Sequence, residues 1–210
     1  MPNSDESNLM KILGLTGSIG MGKSATAAMF REAGIPVYDA DAEVHALYAK
    51  GGAAVGPLSE RFGDILKDGA VDRAALRGKV VDDPDAMKDL EAIVHPLVGL
   101  SQLNFRQKAL ESGAAFAVLD IPLLYETGGD ARCDYVALVS APPEIQRDRV
   151  LARGEMSEAE FEQIRAKQMS DADKRARADF IISSAFGFDF ARAHVQAIIE
   201  LLNNLDQNDD

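Results

Sequence analysis

The sequence predicts an α/β fold that carries a helical insertion, and three observations predict it. Short apolar runs of strand type alternate with runs of helix type near the start of the chain and again from about residue 114 onward. The first strand passes straight into a glycine-rich loop and a helix. Between the second and third strands lie roughly seventy residues dominated by helical patterns, too many for a simple crossover.

The polar, acidic stretch before Lys11 reads as a flexible lead, placed at 1–10, with no basic region ahead of an apolar run. Lys11 to Thr16 is the first strand. Gly17-Ser18-Ile19-Gly20-Met21-Gly22-Lys23-Ser24 follows it and fits G-x-x-x-x-G-K-[ST], the phosphate-binding loop. Gly17, Gly20 and Gly22 lack a Cβ, so the backbone can curl and bring its N–H groups to phosphate oxygens. The Ala-rich run from Ala25 to Ala33 is a helix whose positive end points to the same place. Lys23 supplies a full charge at the β- and γ-phosphates, and Ser24 a hydroxyl for Mg²⁺. Val37-Tyr38 is a second, short strand ending at Asp39-Ala40-Asp41, at the strand end where open α/β sheets bind ligands. Of this acidic pair, one carboxylate suits a general base and one suits a helix cap.

The inserted segment, 42–113, shows helical patterns and no convincing strand. Asp68-Gly69 reads as a turn. Asp72 caps a helix from Arg73 to Val81, and Asp83-Pro84 starts another that ends at Val94 or His95. Pro96 then opens a further helix to Ser112-Gly113. Beyond the insertion, Ala115 to Asp120 is a buried strand closed by an acid, and Tyr135 to Ser140 is the next. Pro142-Pro143 opens a helix bearing Arg147, Arg149 and Arg153. Ser157-Glu158-Ala159-Glu160 is a capping box for a helix to about Met169. Phe180 to Ser183 is the last strand. Asp189 to Leu205 is an amphipathic helix with Val195, Ile198, Ile199 and Leu202 on one face, and 206–210 reads as a disordered tail.

Composition bounds the ligands. A net charge of −12 argues against a nucleic-acid surface, and the absence of tryptophan argues against stacked single strands. The single cysteine, Cys133, forms no internal disulfide and no zinc pattern exists. No apolar run is long enough to span a bilayer, so no membrane partner is expected and a cytoplasmic protein is. A monomer or small homo-oligomer is the expected assembly. A GTPase switch lacks its D-x-x-G and N-K-x-D, and Asp120 is not followed by the second carboxylate of a motor ATPase. A small-molecule kinase needs a phosphate loop, an acid near the acceptor hydroxyl and arginines over the moving phosphoryl. Asp39 or Asp41 and Arg147, Arg149 and Arg153 supply the last two. Two other readings stay open: a kinase for a nucleoside or sugar, and a non-catalytic nucleotide-binding regulator.

Several stretches at their intervals resemble the dephospho-CoA kinase family, from about Lys11 to Leu202. They are Gly14 to Ser24, Asp39-Ala40-Asp41, Asp72-Arg73-Ala74-Ala75-Leu76 and Leu90 through Leu97 with His95-Pro96. Asp120-Ile121-Pro122-Leu123-Leu124-Tyr125-Glu126 follows, then Gln146 with Arg149 and Arg153, Gln168, and Ala178 to Ile182. The resemblance implies a three-layer α/β/α P-loop NTPase fold with a five-stranded parallel sheet, a helical substrate-binding insertion and a lid. It places the kinase core at 11–41 and 114–205, the lid at about 143–177 and a CoA-binding subdomain at 42–113. It implies phosphorylation of the dephospho-CoA ribose 3′-hydroxyl by ATP with Mg²⁺, the final step to coenzyme A. It makes Asp41, Lys23 and Arg149 catalytic. Gly17 through Ala25, Arg149 and Arg153 then hold ATP, and Ser24 the metal. Asp39, Asp41, Arg73, His95, Asp120 and Leu123 bind the acceptor. This chain departs from the family pattern at Ser18, Met21 and Ala25, where Gly, Ser and Thr are usual, and at Ser183-Ser184, where a pair ending in Asn is common.

Overall fold

The computed structural model describes residues 10–206, so the expected lead, up to residue 9, and the tail from 207 lie outside the described residues. By contacts the chain divides into two compact units, Met1–Tyr38 with Ala109–Asp210, and Asp39–Lys108.

The first unit is built on a five-stranded sheet of order β2-β5-β1-β6-β7. Its strands are β1 (Lys11–Thr16), β2 (Val37–Asp39), β5 (Phe116–Asp120), β6 (Tyr135–Ser140) and β7 (Phe180–Ser183). β1 lies at the centre, parallel to β5 through Leu13↔Val118 and to β6 through Leu15↔Ala137. β6 and β7 are parallel through Leu138↔Ile181. Both faces of β1 are covered, which is why it reads as an unbroken apolar run rather than an alternation. On one face Leu13 and Leu15 meet Phe30 of α1 (Lys23–Glu32) and Ile198 of α9 (Phe188–Asp206) in the main core. On the other, Gly14 is closely covered: a Cβ there would sit 2.7 Å from Leu124 Cδ2 and 2.9 Å from Cys133 Sγ. Between β6 and β7 run α6 (Pro143–Ala152), α7 (Glu158–Lys167) and α8 (Asp171–Arg177). The capping box at α7 forms as expected, with Ser157 and Glu160 exchanging side-chain and backbone bonds. The charged stretch from Asp171 takes helical form because Ser170 caps it, accepting the N–H of Asp173.

The second unit holds α2 (Ala40–Tyr48), α3 (Val55–Phe62), α4 (Arg73–Val80) and most of α5 (Pro84–Glu111). Its core gathers Leu58, Phe62, Ile65, Leu76, Val80 and Val94. Two expectations are corrected here. A two-stranded antiparallel ladder, β3 (Leu66–Lys67) with β4 (Ala70–Val71), flanks the Asp68-Gly69 turn. Asp68 at φ 54° and Gly69 at φ 83° give the doubly positive turn that closes tight hairpins. Two-residue strands carry no alternation that a sequence reading could detect.

Nor does the helix break at Pro96: α5 runs unbroken through it. An interior proline costs about 3 kcal/mol. Val94 is buried in this unit's core, and Leu90, Ile93, Leu97 and Val98 pack against it from both sides of the proline. At about 1.5–3 kcal/mol for each fully buried side chain, that face outweighs the missing bond.

Candidate active site

The phosphate loop joins β1 to α1, and the residues around it determine its shape. A Cβ on Gly17 would stand 2.8 Å from the Val139 carbonyl oxygen, and Gly20, at φ 76°, would put one 2.5 Å from Val150 Cγ2. Three of the loop's carbonyls are tied by hydrogen bonds. Gln146 Nε2 donates to the Ile19 oxygen at 2.7 Å, Ser184 Oγ to the Met21 oxygen at 2.7 Å, and the Met21 N–H to the Ser18 oxygen at 3.1 Å. The Ile19 N–H in turn donates to Gln168 Oε1 at 3.2 Å. Met21, where a serine is usual in the family, is buried under the loop with its sulfur accepting the Ala141 N–H at 3.1 Å. Gly22 caps α1 in the left-handed region, and the N–H groups of Gly22 to Ala25 start the helix without intrahelical acceptors. Such a helix end favours an anion.

Lys23 Nζ pairs with Asp120 Oδ1 at 2.5 Å, at the carboxyl end of β5, where Asp120 is only 2% exposed. Ser24 is exposed at the start of α1. A Mg²⁺ ion takes hard oxygen ligands and is usually held by one or two protein groups plus phosphate oxygens and water. The Ser24 hydroxyl and the Asp120 carboxylate fit that role. Among the described residues no group of three or more His, Cys, Asp or Glu could hold a metal without phosphate.

Beside the loop a cavity of about 450 Å³ is lined by Gly22, Met29, Arg149, Arg153, Ser184 and Phe188, among others, and Ala25 also faces it. Arg149 spans from α6 to the end of β7, with Nη1 on Ser184 Oγ at 2.8 Å and Nη2 on the Ser184 oxygen at 2.6 Å. Arg153 follows α6 and reaches the same cavity, so the two arginines do share one face. Arg147 points elsewhere, to Glu158 at 2.6 Å on the exposed side. Lys23, Arg149 and Arg153 make this part of an acidic chain locally positive.

In the second unit Asp39 is the helix cap: its Oδ1 accepts the Ala42 N–H at 2.9 Å. Asp41 stands exposed in the first turn of α2. It lines a cavity of about 560 Å³ with Tyr48, Arg73, Leu76, Arg77 and Leu90. The Arg73 guanidinium lies 5.7 Å from the Tyr48 ring. Burial pushes the Tyr48 phenol above its usual value, and Arg73 pulls the other way. His95 is exposed on α5 and is not among the residues lining that cavity. Leu123, 40% exposed, sits in the turn after β5.

The structure thus gathers residues 17–25, Asp120, Arg149 and Arg153 in one unit, and Asp41 with Arg73 in the other. Sequence reasoning marked Ser184 only as part of a departure from the family pattern and gave no role to Phe188, Tyr48 or Arg77. Only Arg77 carried a signal, its spacing from Arg73 placing both on one face of α4.

A strand–glycine loop–helix in a parallel sheet, with its lysine at the end of a neighbouring strand, defines a nucleoside-triphosphate-binding α/β protein of the phosphate-loop kind. Residues 11–187 match the model of the dephospho-CoA kinase family. A dephospho-CoA kinase of Ruegeria pomeroyi is 56% identical over 187 residues, covering 89% of this chain and 93% of that one. One from Rhodopseudomonas palustris is 52% identical over 191 residues, covering 91% and 95%. A crystal structure from Thermus thermophilus superposes with a TM-score of 0.77 at 35% identity, covering 93% of this chain and 97% of that one. Dephospho-CoA kinase from Campylobacter jejuni shares the fold, with a TM-score of 0.68 at 24% identity over 92% and 97% of the two chains. The chain belongs to the dephospho-CoA kinase family.

Proposed function

We propose that this protein transfers the γ-phosphoryl group of ATP to the ribose 3′-hydroxyl of dephospho-CoA, giving coenzyme A and ADP. Family membership combined with the Lys23–Asp120 pair under a fully formed phosphate loop carries the reading. The N–H groups at the start of α1 receive the phosphates. Lys23 has a short path from Asp120 to a β- or γ-oxygen, where its charge offsets the negative charge that grows on the bridging oxygen. The cavity lined by Arg149, Arg153 and Phe188 suits the nucleoside, with the guanidinium of Arg153 and the ring of Phe188 as flat faces for a base. Magnesium bound through ATP supplies further charge neutralisation, and Ser24 and Asp120 are the residues that would hold it.

Asp41 is the proposed proton acceptor. Its carboxylate hydrogen-bonds the 3′-hydroxyl and takes the proton as the oxygen–phosphorus bond forms and the bond to ADP breaks. The cavity it shares with Arg73 and Arg77 suits the phosphates of an acceptor of this kind, since planar guanidinium groups bind phosphate oxygens in pairs. Asp39 serves by capping the helix that carries Asp41. The segment 143–177 serves as the lid: α7 closes over the γ-phosphate and excludes water, while Gln146 of α6 and the buried Lys174 of α8 stay fixed against the core. A cytoplasmic location accords with this substrate pair, and no helix of the described residues is long and apolar enough to cross a membrane. The test is incubation with ATP, Mg²⁺ and dephospho-CoA, followed by mass analysis. The expected product carries one added phosphate at the 3′ position. ATP hydrolysis with an unchanged acceptor refutes the assignment.

A further inference from the structure

Ile19 is gripped through both of its flanking peptide groups by side chains that no step above uses. Its oxygen accepts from Gln146 of α6, which is 4% exposed, and its N–H donates to Gln168. Gln168 is the residue at which α7 ends, where a helix terminus by itself gives a side chain little restraint. Its neighbour supplies the restraint. The Met169 N–H donates to Glu126 Oε1 at 2.9 Å, and Met169 packs against Leu124, Tyr125 and Val136. Glu126 is anchored in turn by Lys174 of α8, whose Nζ lies 2.9 Å from the same oxygen and whose side chain is 0% exposed. A fully buried lysine is rare and needs a partner. This one spends its charge on a carboxylate that fixes the segment next to the loop.

We propose that Gln168 is a positioning residue for the phosphate loop, held in register by the ion pair between Glu126 and the buried Lys174. Glu126 closes the turn after β5, and Lys174 lies on α8, just ahead of β7, so the brace joins three segments of the first unit at the loop's crest. Gln168 holds the Ser18–Ile19 peptide and Gln146 the Ile19–Gly20 peptide; with both held, the next N–H groups, from Gly20 onward, are set toward the anion. Without Gln168 the Ser18–Ile19 peptide can rotate, and the loop gains conformations that do not grip phosphate. The inference rests on the reading that the loop carries the triphosphate of ATP.

Turnover of ATP with dephospho-CoA by the unaltered chain checks that reading and comes first. Then Q168A, E126A and the double variant are compared for kcat, for KM of each substrate, and for thermal midpoint. Q168A is expected to raise the KM for ATP about fivefold to tenfold, with the KM for dephospho-CoA unchanged within about twofold and the midpoint nearly unmoved. E126A shifts the KM for ATP the same way and adds little more once Gln168 is gone, because it acts through that residue. E126Q keeps an oxygen for the Met169 N–H and recovers part of the affinity. Should E126A fail to fold, E126Q takes its place in the double-variant comparison. An unchanged KM for ATP in Q168A, equal losses toward both substrates, or a Glu126 effect of the same size in both backgrounds overturns the proposal.

Discussion

Replacing Lys23 by methionine separates the structural from the chemical role of the loop lysine. Met keeps most of the side chain's length and apolar bulk and removes only the charged end. That end lies 2.5 Å from Asp120, which is 2% exposed, so the variant leaves a buried carboxylate without its ammonium. Removing one partner of a buried pair costs about 3–5 kcal/mol. Lys23 itself is 13% exposed, which lets water reach the site, and the lower end of that range applies. For a chain of this size about 3 kcal/mol lowers the thermal midpoint by roughly 6–12 °C. Adding D120N replaces that buried carboxylate by a neutral amide and should restore most of that loss. Turnover behaves differently: K23M and K23M/D120N are both expected to lose at least about a hundredfold in kcat, because neither places a cation on the transferring phosphoryl. Calorimetric melts of K23M, D120N and K23M/D120N without nucleotide, followed by single-turnover assays with ATP, make the comparison. If K23M melts with the unaltered protein, or if the double variant falls by the sum of the single losses, the pair does not work in this way. Full turnover in K23M removes the lysine from the chemistry.

Asp41→Asn should lower kcat by about a hundredfold or more while the dissociation constant for ATP, measured by titration calorimetry, stays within about twofold. Gly20→Ala places a methyl 2.5 Å from Val150 Cγ2 at a φ of 76°, so it should destabilise the fold by about 2 kcal/mol and abolish tight ATP binding; chemical denaturation reads the first effect and calorimetry the second. The Glu126 carboxyl is raised by burial but pulled further down by Lys174 and the Met169 N–H, and lies below its usual 4.5. Its contribution to stability is therefore complete above about pH 4.5 and is lost as pH falls through the lowered folded value. Acid unfolding of E126Q should lack that component; an acid transition identical to that of the unaltered protein refutes the linkage.

The sheet was legible because its inner strands are buried on both faces: Lys11–Thr16 and Tyr135–Ser140 appear as apolar runs bounded by turns, at the limits the structure gives them, and the partly exposed edge strand Phe180–Ser183 is still apolar enough to show. The helix starts at Asp72, Asp83 and Ser157 were legible because a cap is a local event, decided within three residues. Pro96 misled because a local penalty was set against packing that only the folded chain displays. The β3–β4 ladder was too short to leave a pattern. At the site, the glycine loop and its lysine stood out by spacing. Asp39 and Asp41 were seen as a pair, and the geometry of the Ala42 N–H assigned the cap to Asp39. The bracing of Ile19 could not be read, because Gln146 and Gln168 lie far along the chain from the residue they grip and glutamine has no spacing rule of its own. Lys174 was hidden for a related reason: among the charges from Asp171 to Asp179 nothing marks the single one that is buried.

Tying the carbonyls of Ile19 and Met21 to side chains has a thermodynamic consequence for the nucleotide. The socket is assembled when the chain folds, so its conformational entropy is surrendered then and not when the guest arrives. Amide hydrogen exchange at residues 17–24 should already be slow before ATP is added, and the heat-capacity change on association should reflect desolvation of the base and phosphates rather than ordering of the backbone.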